Sequence, residues 1–91
     1  MEFEWDADKN VSNITQHGID FEDARRIFDG PVLEQIDDRF DYGEERTIVT
    51  GIVDGRELAV VYTLRAERCR VISARRATRY EREAYYQALG G

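Results

Sequence analysis

The dipeptide Asp54-Gly55 separates two runs rich in β-branched and aromatic residues, Arg46 to Val53 and Arg56 to Leu64. A two-residue Asp-Gly connection between such runs is the strongest short-range hairpin signal, because a type I′ turn needs positive φ at both central positions. The pattern therefore predicts two antiparallel strands joined by a type I′ turn. A third β-rich run, Cys69 to Ala74, follows a connection near Ala66-Glu67 that is short enough for another hairpin. Val32 to Asp37 adds a possible strand ahead of them, before a polar loop from Asp38 to Glu44. The expectation is a mostly antiparallel sheet of three to four strands, arranged as a meander.

Upstream of Pro31 the period is helical. Phe3-Glu-Trp5 alternates and is short, as in a first edge strand. Asp6 has the chemistry of an N-cap, and Asp8 would sit near the positive end of a helix dipole. That helix runs to about Gln16 or His17, with Gly18 just past its end. Val11 and Ile14 form its apolar stripe, and Asn10, Asn13 and His17 share a second face. Asp20 caps a second helix with Phe21, Ala24, Ile27 and Phe28 at buried spacing, ended by Asp29-Gly30-Pro31. Thr78 and Glu81 have capping-box spacing and open a C-terminal helix. Tyr80, Ala84, Tyr85, Ala88 and Leu89 can cover one side of it. The order strand, helix, helix, strands, helix gives an α+β fold, and residues 1–91 form a single domain.

Composition excludes several classes. With 42% apolar and 35% charged residues the chain is globular, and its longest apolar runs are only a few residues, too short to span a membrane. The acidic start Met1-Glu-Phe-Glu-Trp5 argues against a signal peptide. A lone cysteine, Cys69, agrees with a reducing cytoplasm. One histidine and one cysteine, with no zinc-type spacing, leave no conventional zinc site, and Asp37, Asp38 and Asp41 lack EF-hand spacing and read as a solvated loop. No phosphate-cradling or dinucleotide-binding glycine motif is present, and Gly51 and Gly55 fit turn or bulge positions. No cofactor is expected.

Charge is divided unevenly. Residues 1–45 hold 14 acids and 4 bases, whereas residues 46–91 hold 5 acids and 9 bases. Twelve of the thirteen bases are arginine. Seven of them fall between Arg65 and Arg82, against only Glu67 and Glu81. Guanidinium is always charged, and its planar fork binds phosphate or carboxylate in a bidentate way. The segment suggests that something anionic docks there. The bland alternative is that the two halves neutralise each other in the fold.

Several residues together carry a family resemblance. Phe3-Glu-Trp-Asp6, Asn13 with His17-Gly18, Phe21, Ala24 and Phe28, Glu45-Arg46, and Ile72-Ser-Ala-Arg75 followed by Ala77 and Glu81 extend over nearly the whole chain. In these the sequence resembles the BrnT toxins. The resemblance implies a RelE-like fold and a bacterial ribonuclease of a type II toxin–antitoxin system that arrests translation. It further implies neutralisation by a BrnA antitoxin with a ribbon-helix-helix part, in a heterotetramer of two toxins and two antitoxins, which represses its own promoter by binding operator DNA. Many members carry lysine directly before the His-Gly pair, where this chain has Gln16.

Under that resemblance the chemistry can be assigned. Metal-free RNA cleavage needs a base for the attacking 2′-hydroxyl, an acid for the leaving 5′-oxygen, and cations for charge on the phosphoryl oxygens. Arg65, Arg70 and Arg75 are the best phosphate ligands, and Arg65 and Arg70 can share a face if their hairpin is tight. Arg46, Arg76 and Arg79 are further candidates for RNA contact. For Arg76, Arg79 and Arg82 a solvated face or an antitoxin contact is the alternative. His17 suits proton transfer near neutrality or the capping of its helix. Glu45, beside Arg46, is a candidate base or half of a surface ion pair. Glu81 fits its capping role, and Tyr85 packs in the core or stacks on a base. Arg65, Arg75, His17 and Glu45 form the expected catalytic set. The main rival reading is a non-catalytic module that engages only an antitoxin-like partner. An acidic DNA mimic leaves the arginines unexplained.

Overall fold

A computed structural model describes residues 2–38 and 43–90. Asp41 and most of the expected polar loop lie outside the described residues. The elements are strand β1 (Glu2–Glu4), helix α1 (Ala7–His17), helix α2 (Phe21–Ala24) continuing as a 3-10 turn over Arg25–Asp29, strands β2 (Leu33–Asp37), β3 (Arg46–Val53), β4 (Arg56–Arg65) and β5 (Arg68–Arg76), and helix α3 (Arg79–Leu89). Among the described residues no helix is long and apolar enough to cross a membrane.

The sheet has five strands in the order β1-β5-β4-β3-β2. The β2 to β5 meander is antiparallel as expected. The expectation of three to four strands is corrected in one respect. The N-terminal strand joins the same sheet, parallel to β5, with Phe3 opposite Cys69. The sheet is therefore larger, and mixed. Local chemistry explains the hairpins: Asp54 and Gly55 have φ of 52° and 77°, the pair of positive values that a type I′ turn requires. Ala66 takes φ 55° in the β4–β5 turn.

One sheet face packs on the N-terminal helices. Phe21, Ala24 and Ile27 meet Val49, Val53, Leu58, Val60, Cys69 and Val71 in a continuous core. Phe28 bridges Phe3, at 5.3 Å, and Tyr62, at 5.9 Å between ring centroids. Gly51 admits the 3-10 turn against β3, since a Cβ there would lie 2.7 Å from Ile27 Cβ. Burial pushes the Cys69 thiol up to about 11, so it is inert at neutral pH.

Helix α1 is set differently from the apolar stripe expected. Its caps are as the sequence indicates, with Asp6 accepting from the amides of Asp8 and Lys9 and Gly18 left-handed at the end. Yet Val11 and Ile14 are 63% and 41% exposed, and Asn13 is buried. The reason is the edge of β5. Strand β1 pairs only as far as Arg70. Beyond it, Asn13 Nδ2 donates to Ala74 O at 2.8 Å and Asn13 Oδ1 accepts from Ala74 N–H at 3.1 Å. The same Nδ2 donates to Ile19 O at 2.8 Å. One side-chain amide thus substitutes for the missing strand. Asn10 similarly joins Asp20 and the Phe21 amide.

Replacing Asn13 by Ala strands the N–H and C=O of Ala74 in a buried position. A loss of about 2–4 kcal/mol follows from two unsatisfied backbone groups. Urea denaturation measures it, and a loss below about 0.5 kcal/mol would show that water replaces the amide.

Candidate functional site

Paired positions on neighbouring strands share a face. Arg65 lies opposite Arg68, Thr63 opposite Arg70, and Ala59 opposite Arg75. Arg46 is on the same face, beside Asp37 on β2. This face is turned away from α1 and α2, because Val60, Tyr62, Cys69 and Val71 point into their core. Arg46, Arg65, Arg68, Arg70 and Arg75 therefore gather on one wall, whereas Arg56 and Arg76 lie opposite Val53 and Leu58 on the other face. Arg65 and Arg75 stand six residues apart along β4, about 20 Å at strand spacing. The arrangement is a track, not a pocket.

Carboxylates line the track. Arg70 Nη1 meets Glu4 Oε2 at 2.7 Å, and Arg68 lies 3.5 Å from Glu2. Glu44 serves two cations, with Arg65 at 3.5 Å and Arg46 at 3.6 Å. Glu44 is thus one ion-pair partner of Arg46. The N-terminal acids of the bland charge reading do pair with this wall. The pairs differ in strength. Arg65–Glu44 is long and its arginine is exposed, a geometry worth little. Arg75–Glu81 is bidentate, at 2.7 and 2.9 Å.

Glu81 is also the capping-box partner of Thr78, accepting from its amide at 2.8 Å while Thr78 Oγ1 accepts from the Glu81 amide. One carboxylate therefore joins Arg75 of β5 to the first turn of α3. Burial alone would raise the pKa of Glu81, but the bonds from Arg75 and Thr78 outweigh it and hold the group below its usual 4.5.

The other expected catalysts lie elsewhere. His17 is exposed in the last turn of α1. The Asn13 bonds bring that helix to the edge of β5 at Ala74, one residue from Arg75. Glu45 lies on the opposite side of the sheet, in a shallow groove with Glu34, Ile36, Thr47, Tyr62 and Leu64. Its backbone carbonyl accepts from Thr63 Oγ1 at 2.8 Å. In the same groove burial and the Glu34 hydrogen bond push Tyr62 up to about 12. The sheet thus separates Glu45 from the arginine wall. Among the described residues no group of three or more His, Cys, Asp or Glu converges on a point.

Residues 5–81 match the family described as the ribonuclease toxin, BrnT, of type II toxin-antitoxin systems. The chain belongs to the BrnT family. No individual curated protein matches it. Membership makes this a ribonuclease toxin with an RNA substrate and an antitoxin partner. The BrnT match takes in the whole arginine wall, His17 and the first turn of α3.

On α3 the structure exchanges two tyrosines. Tyr85, a candidate for base stacking or core, is 4% exposed and donates to Pro31 O at 2.9 Å, so it packs. Tyr80, expected to cover the helix's buried side with Leu89, is 72% exposed, and Leu89 is 41% exposed. Arg76 and Arg79 are exposed near this end, Arg79 pairing with Glu83 at 3.0 Å. Arg82 Nη1 donates to Ala77 O at 2.9 Å and so supports the strand-to-helix junction. The sequence signal for Tyr80 was the helical step itself: placing Tyr85 inward turns Tyr80 outward.

Substitution of Glu81 by Gln should destabilise the fold by about 1–3 kcal/mol at pH 7, from loss of charge-assisted bonds. Glu81 has a folded pKa below its unfolded value, so its contribution is present above 4.5 and is lost as pH falls through the folded value. Urea midpoints for the two proteins should therefore converge at acid pH. A gap that persists unchanged at pH 2 would contradict the assignment.

Proposed function

We propose that this BrnT chain is a metal-independent endoribonuclease that draws single-stranded RNA along the arginine wall and thereby arrests translation in the cytoplasm. The observation that carries the reading is the placement of Arg46, Arg65, Arg70 and Arg75 on one sheet face of a ribonuclease-family chain. Phosphates compete best for Arg65, whose pair with Glu44 is long and exposed. Arg70 and Arg46 follow along the same face. Arg75, fixed by Glu81, presents a held cation at the far end.

In this reading the 2′-oxygen forms a bond to the adjacent phosphorus while the bond from phosphorus to the 5′-oxygen breaks. The 2′-hydroxyl loses its proton to a base, and an acid supplies one to the departing oxygen. His17, in the last turn of the helix whose Asn13 meets the edge of β5 at Ala74, is the candidate for that proton transfer. Glu45 faces the other side and stays outside the proposal. Arg79, in the first turn of α3, adds positive charge at the strand-to-helix junction, while Arg76 shares the opposite face with Leu58 and stays outside the proposal.

The meander β2 to β5, with its N-terminal helices on one face and α3 following, supports assignment to the RelE-like folds. The neutralising partner is a BrnA-type ribbon-helix-helix antitoxin, in an assembly of two toxins and two antitoxins that carries the complex to operator DNA. That part rests on the family resemblance.

A second reading has its own support. Five arginines of the wall have carboxylates within 4 Å, so the surface is internally balanced, as a module that binds only a protein partner could be. Purified protein incubated with RNA in excess chelator, with and without ribosomes, separates the two. The nuclease reading expects cleavage that chelator leaves intact and that Arg65→Ala with Arg70→Ala lowers at least tenfold in a folded protein. No cleavage under either condition would establish the binding module.

A further inference from the structure

Two large aliphatic side chains stand in solvent at one end of the sheet. Ile36 of β2 is 58% exposed and Leu64 of β4 is 61% exposed. Strand pairing places them on one face: Ile36 lies opposite Thr47, Thr47 lies opposite Tyr62, and Leu64 follows Tyr62 by two residues. This is the face that the N-terminal helices cover elsewhere, over Val49, Val60 and Val71. The cover ends at Tyr62, whose ring meets Phe28 at 5.9 Å. Beyond it Ile36, Thr47, Tyr62 and Leu64 line an open groove.

Two carboxylates frame that groove, Glu34 and Glu45. The Tyr62 hydroxyl donates to Glu34 Oε1 at 3.1 Å and so holds this carboxylate in place. Among the described residues neither Glu34 nor Glu45 has a cationic partner. Glu2, Glu4, Glu44 and Glu81, by contrast, each pair with an arginine of the wall. Strand β2 is the outer strand of the sheet, so the groove opens at an edge with no further strand beside it.

We propose that this groove is a docking site for the antitoxin, taken by a segment that carries aliphatic side chains and at least one lysine or arginine. The antitoxin partner comes with family membership, and the proposal does not depend on the nuclease chemistry. The sign of the charge chooses among occupants. Glu34 and Glu45 repel a phosphate chain, so RNA does not belong here. A second copy of the chain, with a net charge of -6, would bring like charge to an edge already framed by carboxylates. A basic, partly apolar segment of another protein gains on both counts. It buries Ile36 and Leu64, and it supplies the missing counter-ions. The groove and the arginine wall lie on opposite faces, so the docked segment anchors the antitoxin without itself covering the arginines.

Calorimetric titration of the purified chain with its cognate antitoxin tests the site. Ile36→Ser with Leu64→Ser should weaken binding at least about tenfold, because two aliphatic side chains no longer bury apolar surface. Both residues are exposed, so the urea midpoint should stay at the native value. Glu34→Gln with Glu45→Gln keeps an acceptor for Tyr62, and should weaken binding about fivefold and reduce its salt dependence. Val11→Ser with Ile14→Ser, an exposed aliphatic pair on α1, is the control and should bind as the native chain does. Short overlapping peptides of the antitoxin then identify the docked segment by competition. The competing peptide should combine aliphatic and basic residues, and an acidic competitor overturns the proposal. Groove variants that bind within about twofold of the native chain, or a loss confined to the α1 control, also overturn it. Sedimentation of the toxin alone supplies the last arm: a dimer that the groove variants dissociate gives the groove to a second copy and ends the antitoxin assignment.

Discussion

The amide of Asn13 is the constraint on which the rest of the structure depends. It satisfies both backbone groups of Ala74 and the carbonyl of Ile19. A sheet edge left open in the interior would carry unpaired donors and acceptors, each costly once water is removed. Asparagine presents a donor and an acceptor in one plane, in the manner of a peptide group. It therefore continues the hydrogen bonding of β5 after β1 has turned away. The same contact fixes helix α1 against the strand that carries Arg70 and Arg75. It also determines which way α1 faces, and so leaves Val11 and Ile14 in water.

The division of charge along the chain becomes a division across contacts. Acids from the first half face arginines from the second, as in Glu4 with Arg70 and Glu44 with Arg65. A contact of the opposite sense, Arg26 of the first half with Asp54 of the second, lies on the surface at 3.1 Å and holds the Asp54 carboxyl below its ordinary range. An acidic protein can thus offer a basic wall whose members remain separated and ordered without ligand. A polyanion that docks there exchanges partners with carboxylates and so meets a milder net attraction than a bare cluster would exert.

Much of the fold was legible because its signals are local. Asp54-Gly55, the Asp6 and Asp20 caps, Gly18 and the Thr78–Glu81 box each act within a few residues, and each occurs where the chemistry places it. The parallel pairing of β1 with β5 has no local signal, since its partners lie 66 residues apart. The facing of α1 is set not by its apolar spacing but by the Asn13 amide, a polar side chain that takes the place of a strand and has no periodic signature. The arginine wall was half legible. Alternation placed Arg65 and Arg70 together once the hairpin was tight, but the counter-ion of each cation depends on contacts between distant elements. Glu45 was hard to place for a related reason: it precedes β3 and lies in the groove with Tyr62, on the side away from Arg46.

The parallel pairing of β1 also bears on the order of folding. Residues 2–4 dock on β5, which is built from residues 68–76. Closure over such a span is slow compared with the formation of the hairpins. Until then Phe3 lacks its seat against Phe28 and Arg70 lacks its counter-ion. The arginine-bearing face consequently gains its ordered set of counter-ions only once the most distant contact in the sheet has closed.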